Sequence, residues 1–239
     1  MRTEILTFEG PLVVIDPRTD KAAVSIANNC LRNYGERLIQ ASQQKALNYG
    51  ELGSLNYEIG KLHDGLTRHA DAKTHYAAAT QAFKQANEVS QQVAQAHLLL
   101  GEVRAHVSPV TSFVPGGPKS SAKSDFNHAL TLGEQLGDLW LQARATYNLA
   151  QLKAFQGDYE NALTGYQQAE KLISGAKCQG DCRANALLLA EIKRSIDLVQ
   201  AEEVISQANH WATELFPDES DVSTRSGGAS RPWWARWRK

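Results

Sequence analysis

Two of the three cysteines lie close enough in the sequence for redox or metal chemistry. Cys178 and Cys182 enclose three residues, whereas common zinc and thioredoxin-like motifs place two residues between their cysteines. A Gly-Asp pair lies between them, as it does in the turn signal at 137–138, so the segment also has a purely structural explanation. The pair could form a loop disulfide under oxidation or remain as two free thiols, and the sequence favours the free thiols.

Histidines and carboxylates are the next candidates for acid–base or metal chemistry. His63, His69 and His75 follow one another at six-residue intervals, which places successive side chains on different faces of a helix. Glu202 and Glu203 are adjacent and would point apart on a helix. We therefore interpret the histidines as solvated helix-surface residues and the glutamates as part of a solvated face.

The sequence carries no other signature of catalysis. It has no Gly-rich phosphate loop, no nucleophile elbow and no His-Glu-x-x-His helix. We therefore predict that the chain is not an enzyme, with no catalytic residues, no cofactor and no metal.

The last nine residues, RPWWARWRK, interleave tryptophan with basic side chains. Such a segment can insert at an anionic lipid interface, stack on nucleic-acid bases or dock in a pocket as a peptide motif. A disordered extension explains it equally well. The residues that would make these tail contacts are Trp233, Trp234, Arg236, Trp237 and Arg238.

Composition limits the fold that can position these residues. The net charge of −1 gives no overall field that selects nucleic acid or an acidic substrate. Prolines occur only before Ile26, at 109–118 and from Pro217 onward, so long stretches are free to be helical. The start lacks a secretory signal, and no run of about 18 apolar residues indicates a membrane span. We expect a cytoplasmic location.

The segment 143–174 reads as two helices joined by a turn. Large apolar residues recur at three- and four-residue intervals on both sides of Gly157-Asp158, which gives each helix one buried stripe. Gly157 supplies the turn, and Asp158 is available as the cap of the second helix. The small residues Ala150, Ala162 and Ala169 allow the two helices to approach closely. The segment therefore predicts a helical hairpin.

The same pattern recurs along the chain. The apolar–small pair of the first helix ends at Gly60, Gly101, Ala150 and Ala190, in steps of 41, 49 and 40 residues. The second helix repeats a small–large–small triplet at Ala72/Tyr76/Ala79, Ala122/Phe126/Ala129, Ala162/Tyr166/Ala169 and, more weakly, Ala201/Ile205/Ala208. The period is therefore near forty residues.

These motifs resemble those of the tetratricopeptide repeat (TPR) family, in its longer variety of roughly forty residues. Leu149-Ala150, Ala162, Tyr166 and Ala169 match the family pattern, whereas Thr146, Lys153 and Ser174 depart from it. The resemblance implies an all-α fold: a right-handed superhelical array of antiparallel helix hairpins, or TPR-like α-solenoid. A short extended N-terminal arm and a disordered C-terminal tail would flank it.

The predicted domains follow from this pattern. Residues 1–19 form the extended arm, residues 20–216 the repeat domain, and residues 217–239 a flexible tail with a Trp/Arg-rich end. The repeat units are predicted at 21–50, 53–88, 94–136, 143–176 and 183–215, with an inserted loop at 107–121.

The resemblance also implies a binding surface, because the first helix of each TPR hairpin lines a concave groove. Carried over to this sequence, the predicted groove residues are Tyr57, Lys61, Gln95, Leu98, Glu102, Arg144, Tyr147, Asn148, Gln151, Phe155, Leu187, Glu191 and Arg194. Their mixture of aromatic, aliphatic and charged side chains suits an extended peptide or a helix.

The predicted function is therefore a protein–protein interaction scaffold or adaptor. Two alternatives stay open: an accessory subunit of a larger assembly, membrane-associated or not, and association with membrane or nucleic acid through the Trp/Arg-rich tail.

Overall fold

The computed structural model describes residues 19–106, 118–176 and 182–215, with side chains for 19–105, 121–176 and 182–205. The predicted all-α class is confirmed, since these residues form helices and no strand. The helices are α1 (Lys21–Ser42), α2 (Tyr49–Gly65), α3 (His69–Ala86), α4 (Gln91–His106), α5 (Pro118–Leu136), α6 (Leu139–Phe155), α7 (Tyr159–Gly175) and α8 (Arg183–Leu215).

Several predicted features lie outside the described residues. These are the N-terminal arm, most of the inserted loop and the whole C-terminal tail from 217 onward. The helix α5 begins at Pro118, inside the range assigned to the loop. Proline suits the first turn of a helix, where its missing N–H leaves no hydrogen bond unmade. Among the described helices, none combines the length and the apolar character that a membrane span requires.

The chain divides into two compact units, residues 1–196 and 197–239, and the boundary falls within α8. In the first unit each helix from α1 to α6 packs against the next one along the chain. Helix α4 also contacts α2 and α6. In the second unit the described residues belong to the C-terminal part of α8.

Short polar and glycine-containing turns delimit the helices. The side chains of Asp20, Asn48 and Asp138 accept hydrogen bonds from the first turns of α1, α2 and α6. Gly157 adopts a φ of 79° in the predicted turn. Asp158 occupies the N-cap position of α7 without a side-chain capping bond, and its carboxylate accepts from the Asn161 amide instead.

Glycine on one helix faces an aromatic ring on the next in two helix pairs. A Cβ at Gly60 would lie 2.6 Å from the ring of Tyr76, and one at Gly101 would lie 2.5 Å from the ring of Phe126. Both rings are at most 2% exposed. The glycines therefore let α2 approach α3, and α4 approach α5, to a distance that any side chain would prevent.

The first and last predicted repeat units differ from expectation. Residues 21–42 form the single helix α1, and residues 183–215 form the single 33-residue helix α8. The segment 183–215 contains neither glycine nor proline, so nothing in it ends a helix. The helix pairs of this structure are α2–α3, α4–α5 and α6–α7.

Candidate functional site

A row of polar and aromatic side chains connects α2, α4, α6 and the first part of α8. The hydrogen bonds between helices in this row join residues 38 to 48 positions apart, so each links one helix to the next but one. We call this row the polar strip. It consists of Ser54, Tyr57, Gln92, Gln95, Glu102, Arg144, Tyr147, Asn148, Gln151, Glu191 and Ser195.

Arg144 of α6 is the centre of the strip. Its Nε donates to Glu102 of α4 at 2.8 Å, and its Nη1 donates to Glu191 of α8 at 2.7 Å. Burial by itself would lower the pKa of the guanidinium, but the two carboxylates outweigh it and raise that pKa above its ordinary value. Arg144 is therefore a permanent cation that joins three helices.

Asn148 and Tyr147 extend these contacts one turn along α6. The Asn148 amide donates to the same Glu102 oxygen at 2.9 Å, so this carboxylate binds two donors from α6. The Tyr147 hydroxyl lies 3.2 Å from Ser195 Oγ and accepts from the Gln151 amide at 2.7 Å. Tyr147 and Asn148 are both 5% exposed, and their main role is to hold the strip together.

The α2–α4 end of the strip has a simpler arrangement. The hydroxyl of Tyr57 donates to Gln95 Oε1 at 2.7 Å, and the Ser54 hydroxyl donates to Gln92 at 2.9 Å. Lys61 lies 4.9 Å from the centre of the Tyr57 ring and pairs with Glu58 at 3.1 Å. Burial, assisted by Glu58, raises the pKa of Tyr57 well above its usual range. The hydroxyl therefore remains protonated and acts as a donor.

Four predicted groove residues, Phe155, Leu187, Glu191 and Arg194, lie on exposed surface, whereas Tyr57 and Leu98 belong to core clusters. Phe155 is 66% and Leu187 49% exposed, and Arg194 is also exposed. Leu98 is 2% exposed and packs in a cluster with Ala94, Phe126 and others, so it is inaccessible to a partner. A leucine at a position where the neighbouring units have tyrosine lacks the hydroxyl that would connect it to the strip.

Sequence reasoning missed Ser54, Gln92 and Ser195. Ser54 and Gln92 bond to each other, and Ser195 contacts the predicted groove residue Tyr147. Small hydroxyl and amide side chains on helices are common, so their types carry little information. The available signal was the spacing of the bonded residues. Ser54 and Gln92 lie 38 positions apart, and Tyr147 and Ser195 lie 48 positions apart, each close to one repeat.

The histidine interpretation is wrong for His63 and His97. Their side chains are 16% and 18% exposed, and each stacks on a second histidine, at 5.4 Å from His75 and 5.0 Å from His128. Within the described residues, no three histidine, cysteine or acidic side chains come together as metal ligands.

The free-thiol expectation is wrong for Cys182, which is disulfide-bonded. Cys30 is a free cysteine, and Cys178 lies outside the described residues. The predicted tail contacts at Trp233, Trp234, Arg236, Trp237 and Arg238 also lie outside them.

Comparison with known proteins finds similarity to solved structures. No protein-family model and no curated protein sequence matches the chain. Among solved structures, the crystal structure of BtubC (BKLC) from P. vanneervenii is similar, with 17% sequence identity and a TM-score of 0.58. The similarity covers 90% of this chain and 79% of that chain. At this identity the comparison shows a shared helical fold alone.

Proposed function

We propose that this chain is an adaptor that binds another protein, as an extended peptide or a helix, along the polar strip. In this proposal the helices of the first unit are a TPR-like α-solenoid: α2, α4 and α6 are the first helices of successive repeats and line a groove. The recurring apolar–small pairs and the packing of each helix on the next support it. The absence of a catalytic motif in the sequence agrees with a binding role.

One observation carries this proposal: hydrogen bonds between successive first helices recur from α2 to α8, and they hold the side chains of the strip in place. Because Arg144 binds carboxylates on both sides, a partner would meet a preorganised surface and would order few side chains on binding. Preorganisation of this kind reduces the entropic cost of association.

The hydrogen bonds within the strip also determine what it offers to a partner. Gln95 uses its carbonyl oxygen to accept from Tyr57, which leaves its amide N–H groups as donors. Gln151 uses its amide N–H to bond Tyr147, which leaves its carbonyl oxygen as an acceptor. Both side chains are half-buried. A peptide backbone presents the complementary acceptors and donors at regular intervals, so it fits this surface.

The direct test is site-specific photocrosslinking in the source cell. A photoreactive phenylalanine analogue replaces Gln151 on the strip, and the matched control carries it at Glu134, an exposed residue of α5. We expect a discrete protein adduct from position 151 and none of that mass from position 134. The same adducts from both positions, or none from 151, would contradict the proposal.

Binding variants are best made at exposed residues. Tyr147 is 5% exposed, so its replacement by alanine would mainly perturb folding. We instead expect Phe155→Ala/Arg194→Glu to lose the crosslinked partner while unfolding at the same temperature as the wild type. Deletion of residues 225–239 separates this site from the tail. A partner lost only with the tail would refute binding along the strip.

A further inference from the structure

The first two helix pairs each contain a cluster of three polar side chains at matching positions. In α2–α3 these are Asn56, His63 and His75. His75 Nδ1 lies 3.0 Å from Asn56 Oδ1, and the His75 ring stacks on His63. The second-helix member, His75, directly precedes the aromatic residue Tyr76, which packs on Gly60.

The α4–α5 pair has the same arrangement with a carboxylate at its centre. Asp125, directly before Phe126, lies 3.4 Å from His97 Nδ1 and forms an ion pair with Arg104. His97 and Arg104 are seven residues apart on α4, as Asn56 and His63 are on α2. Asp125 is only 5% exposed, and its two partners compensate for its burial.

The α6–α7 pair lacks the central group. By position its three members are Thr146, Lys153 and Gly165, and Gly165 directly precedes Tyr166. Glycine therefore occupies the place of His75 and Asp125. The cause lies on the facing helix, where Ala150 replaces Gly60 and Gly101. A Cβ at Gly165 would come within 2.8 Å of the Ala150 methyl, so the two side chains cannot both be present.

Removal of the central group leaves its two partners unsatisfied. Thr146 is 6% exposed, and its hydroxyl has no hydrogen-bond partner in the described part of the chain. Among the described residues Lys153 forms no ion pair, although the equivalent Arg104 does. A buried hydroxyl without a hydrogen-bond partner normally destabilises a protein, so the surroundings of Thr146 require an explanation.

A cavity of about 290 Å³ is present at this place. Thr146, Lys153 and Gly165 line it, and Leu130, Leu149 and Leu152 contribute apolar walls. At about 30 Å³ per water molecule the volume equals roughly ten waters, enough for a molecule of about ten non-hydrogen atoms. Lys123 of α5 also lines the cavity, so apolar walls are combined with two lysines that form no ion pair among the described residues. This combination favours an amphipathic anion.

We propose that this cavity binds a small monocarboxylic acid with an apolar body. The carboxylate takes the place that Asp125 fills in the neighbouring helix pair, between the Lys153 ammonium and the Thr146 hydroxyl. The apolar body lies against Leu130, Leu149 and Leu152. This site belongs to α5, α6 and α7 and is independent of the polar strip and of any protein partner.

The test is a titration of the full chain with hexanoate, followed by calorimetry and by backbone amide shifts in α6 and α7. We expect one site per chain with a dissociation constant of about 1 mM or tighter. Hexanamide, which has nearly the same shape and no charge, should bind at least about tenfold more weakly, because charge-assisted hydrogen bonds are the stronger ones. Equal affinity for the two compounds, or no binding of hexanoate, would overturn the proposal.

Variants identify the residues. Lys153→Gln should weaken hexanoate binding about tenfold or more, whereas Lys171→Gln, an exposed lysine of α7 outside the cavity, should not change it. The double variant Ala150→Gly/Gly165→Asp transfers the second pair's arrangement to this one. The carboxylate introduced at position 165 should occupy the site and abolish hexanoate binding. The unfolding temperature of the double variant should be no lower than that of the single variant Ala150→Gly. Retained binding in Lys153→Gln or in the double variant would refute the assignment.

Discussion

His63 and His75 show how burial changes a residue that the sequence presents as ordinary. Burial lowers the pKa of His63, with Asp71 acting in the opposite direction and Arg68 in the same one. Burial also lowers the pKa of His75, and the neighbouring His63 lowers it further. Both effects disfavour the charged form, so the folded chain prefers two neutral, stacked rings.

The consequence for stability has a definite sign. As pH falls below about 6.5, the ordinary histidine value, the unfolded chain takes up protons that the folded chain still resists. The free energy of unfolding therefore decreases as the pH falls further. The contribution of the two histidines becomes constant once the pH is below their lowered pKa values in the folded chain.

We expect the wild type to lose more stability between pH 7.5 and pH 5.5 than the variant His63→Gln/His75→Gln. Urea unfolding followed by circular dichroism at the two pH values measures the two losses. All other titrating groups are common to both proteins, so they cancel in the difference. Equal losses would show that this histidine pair does not oppose protonation.

At the scale of elements, the close approach of paired helices depends on specific glycines. Gly101 lies against the ring of Phe126, whereas no atom of the described residues lies within 4 Å of where a Cβ of Gly35 in α1 would be. The same substitution thus meets opposite environments in two helices. In both, alanine gains about 1 kcal/mol of helix propensity relative to glycine.

We expect Gly101→Ala to destabilise the protein by about 1 to 3 kcal/mol, because overpacking against a buried ring outweighs the gain in propensity. Gly35→Ala is the matched control and should stabilise it by up to about 1 kcal/mol. Chemical denaturation of both variants measures the changes. A Gly101→Ala protein as stable as the wild type would mean that α4 and α5 can separate without cost.

The helix α8 shows why an apolar pattern alone does not make a hairpin. The triplet Ala201/Ile205/Ala208 resembles those of the other second helices, yet Ile205 is 52% exposed. Its counterparts Tyr76, Phe126 and Tyr166 are at most 2% exposed. The pairs α2–α3 and α6–α7 have a turn between their helices, and residues 183–215 have none, so no first helix can fold back to cover Ile205.

At the scale of the molecule, stability should vary along the chain. Helix α6 packs against α4, α5 and α7 and buries eight residues, whereas α1 packs against α2 and buries only Ala27 and Ala41. In a chain whose helices contact mainly their neighbours, opening of an end element disturbs few other contacts.

We expect backbone amides in the middle of α6 to exchange at least about 100-fold more slowly than those in the middle of α1. Hydrogen–deuterium exchange followed by mass spectrometry resolves the two helices as separate peptides. Equal protection in both would indicate that the first unit opens in one cooperative step.

The sequence by itself determined the helical class and the central helix pairs. Period-3.6 stripes, small residues and the turn at Gly157 act over one or two helices, so a local pattern is sufficient to predict them. The pairing of small residues with Tyr76 and Phe126 also follows from positions that repeat in the sequence.

Only the tertiary structure decided which polar groups meet. The contacts of Arg144 with Glu102 and Glu191 span more than forty residues and depend on the rotation of each helix about its axis. Burial of His63, and the cavity left by Gly165, depend likewise on which face of one helix meets the next. A sequence pattern specifies the apolar face to within about a third of a turn, whereas a hydrogen bond requires an accuracy of tenths of an ångström.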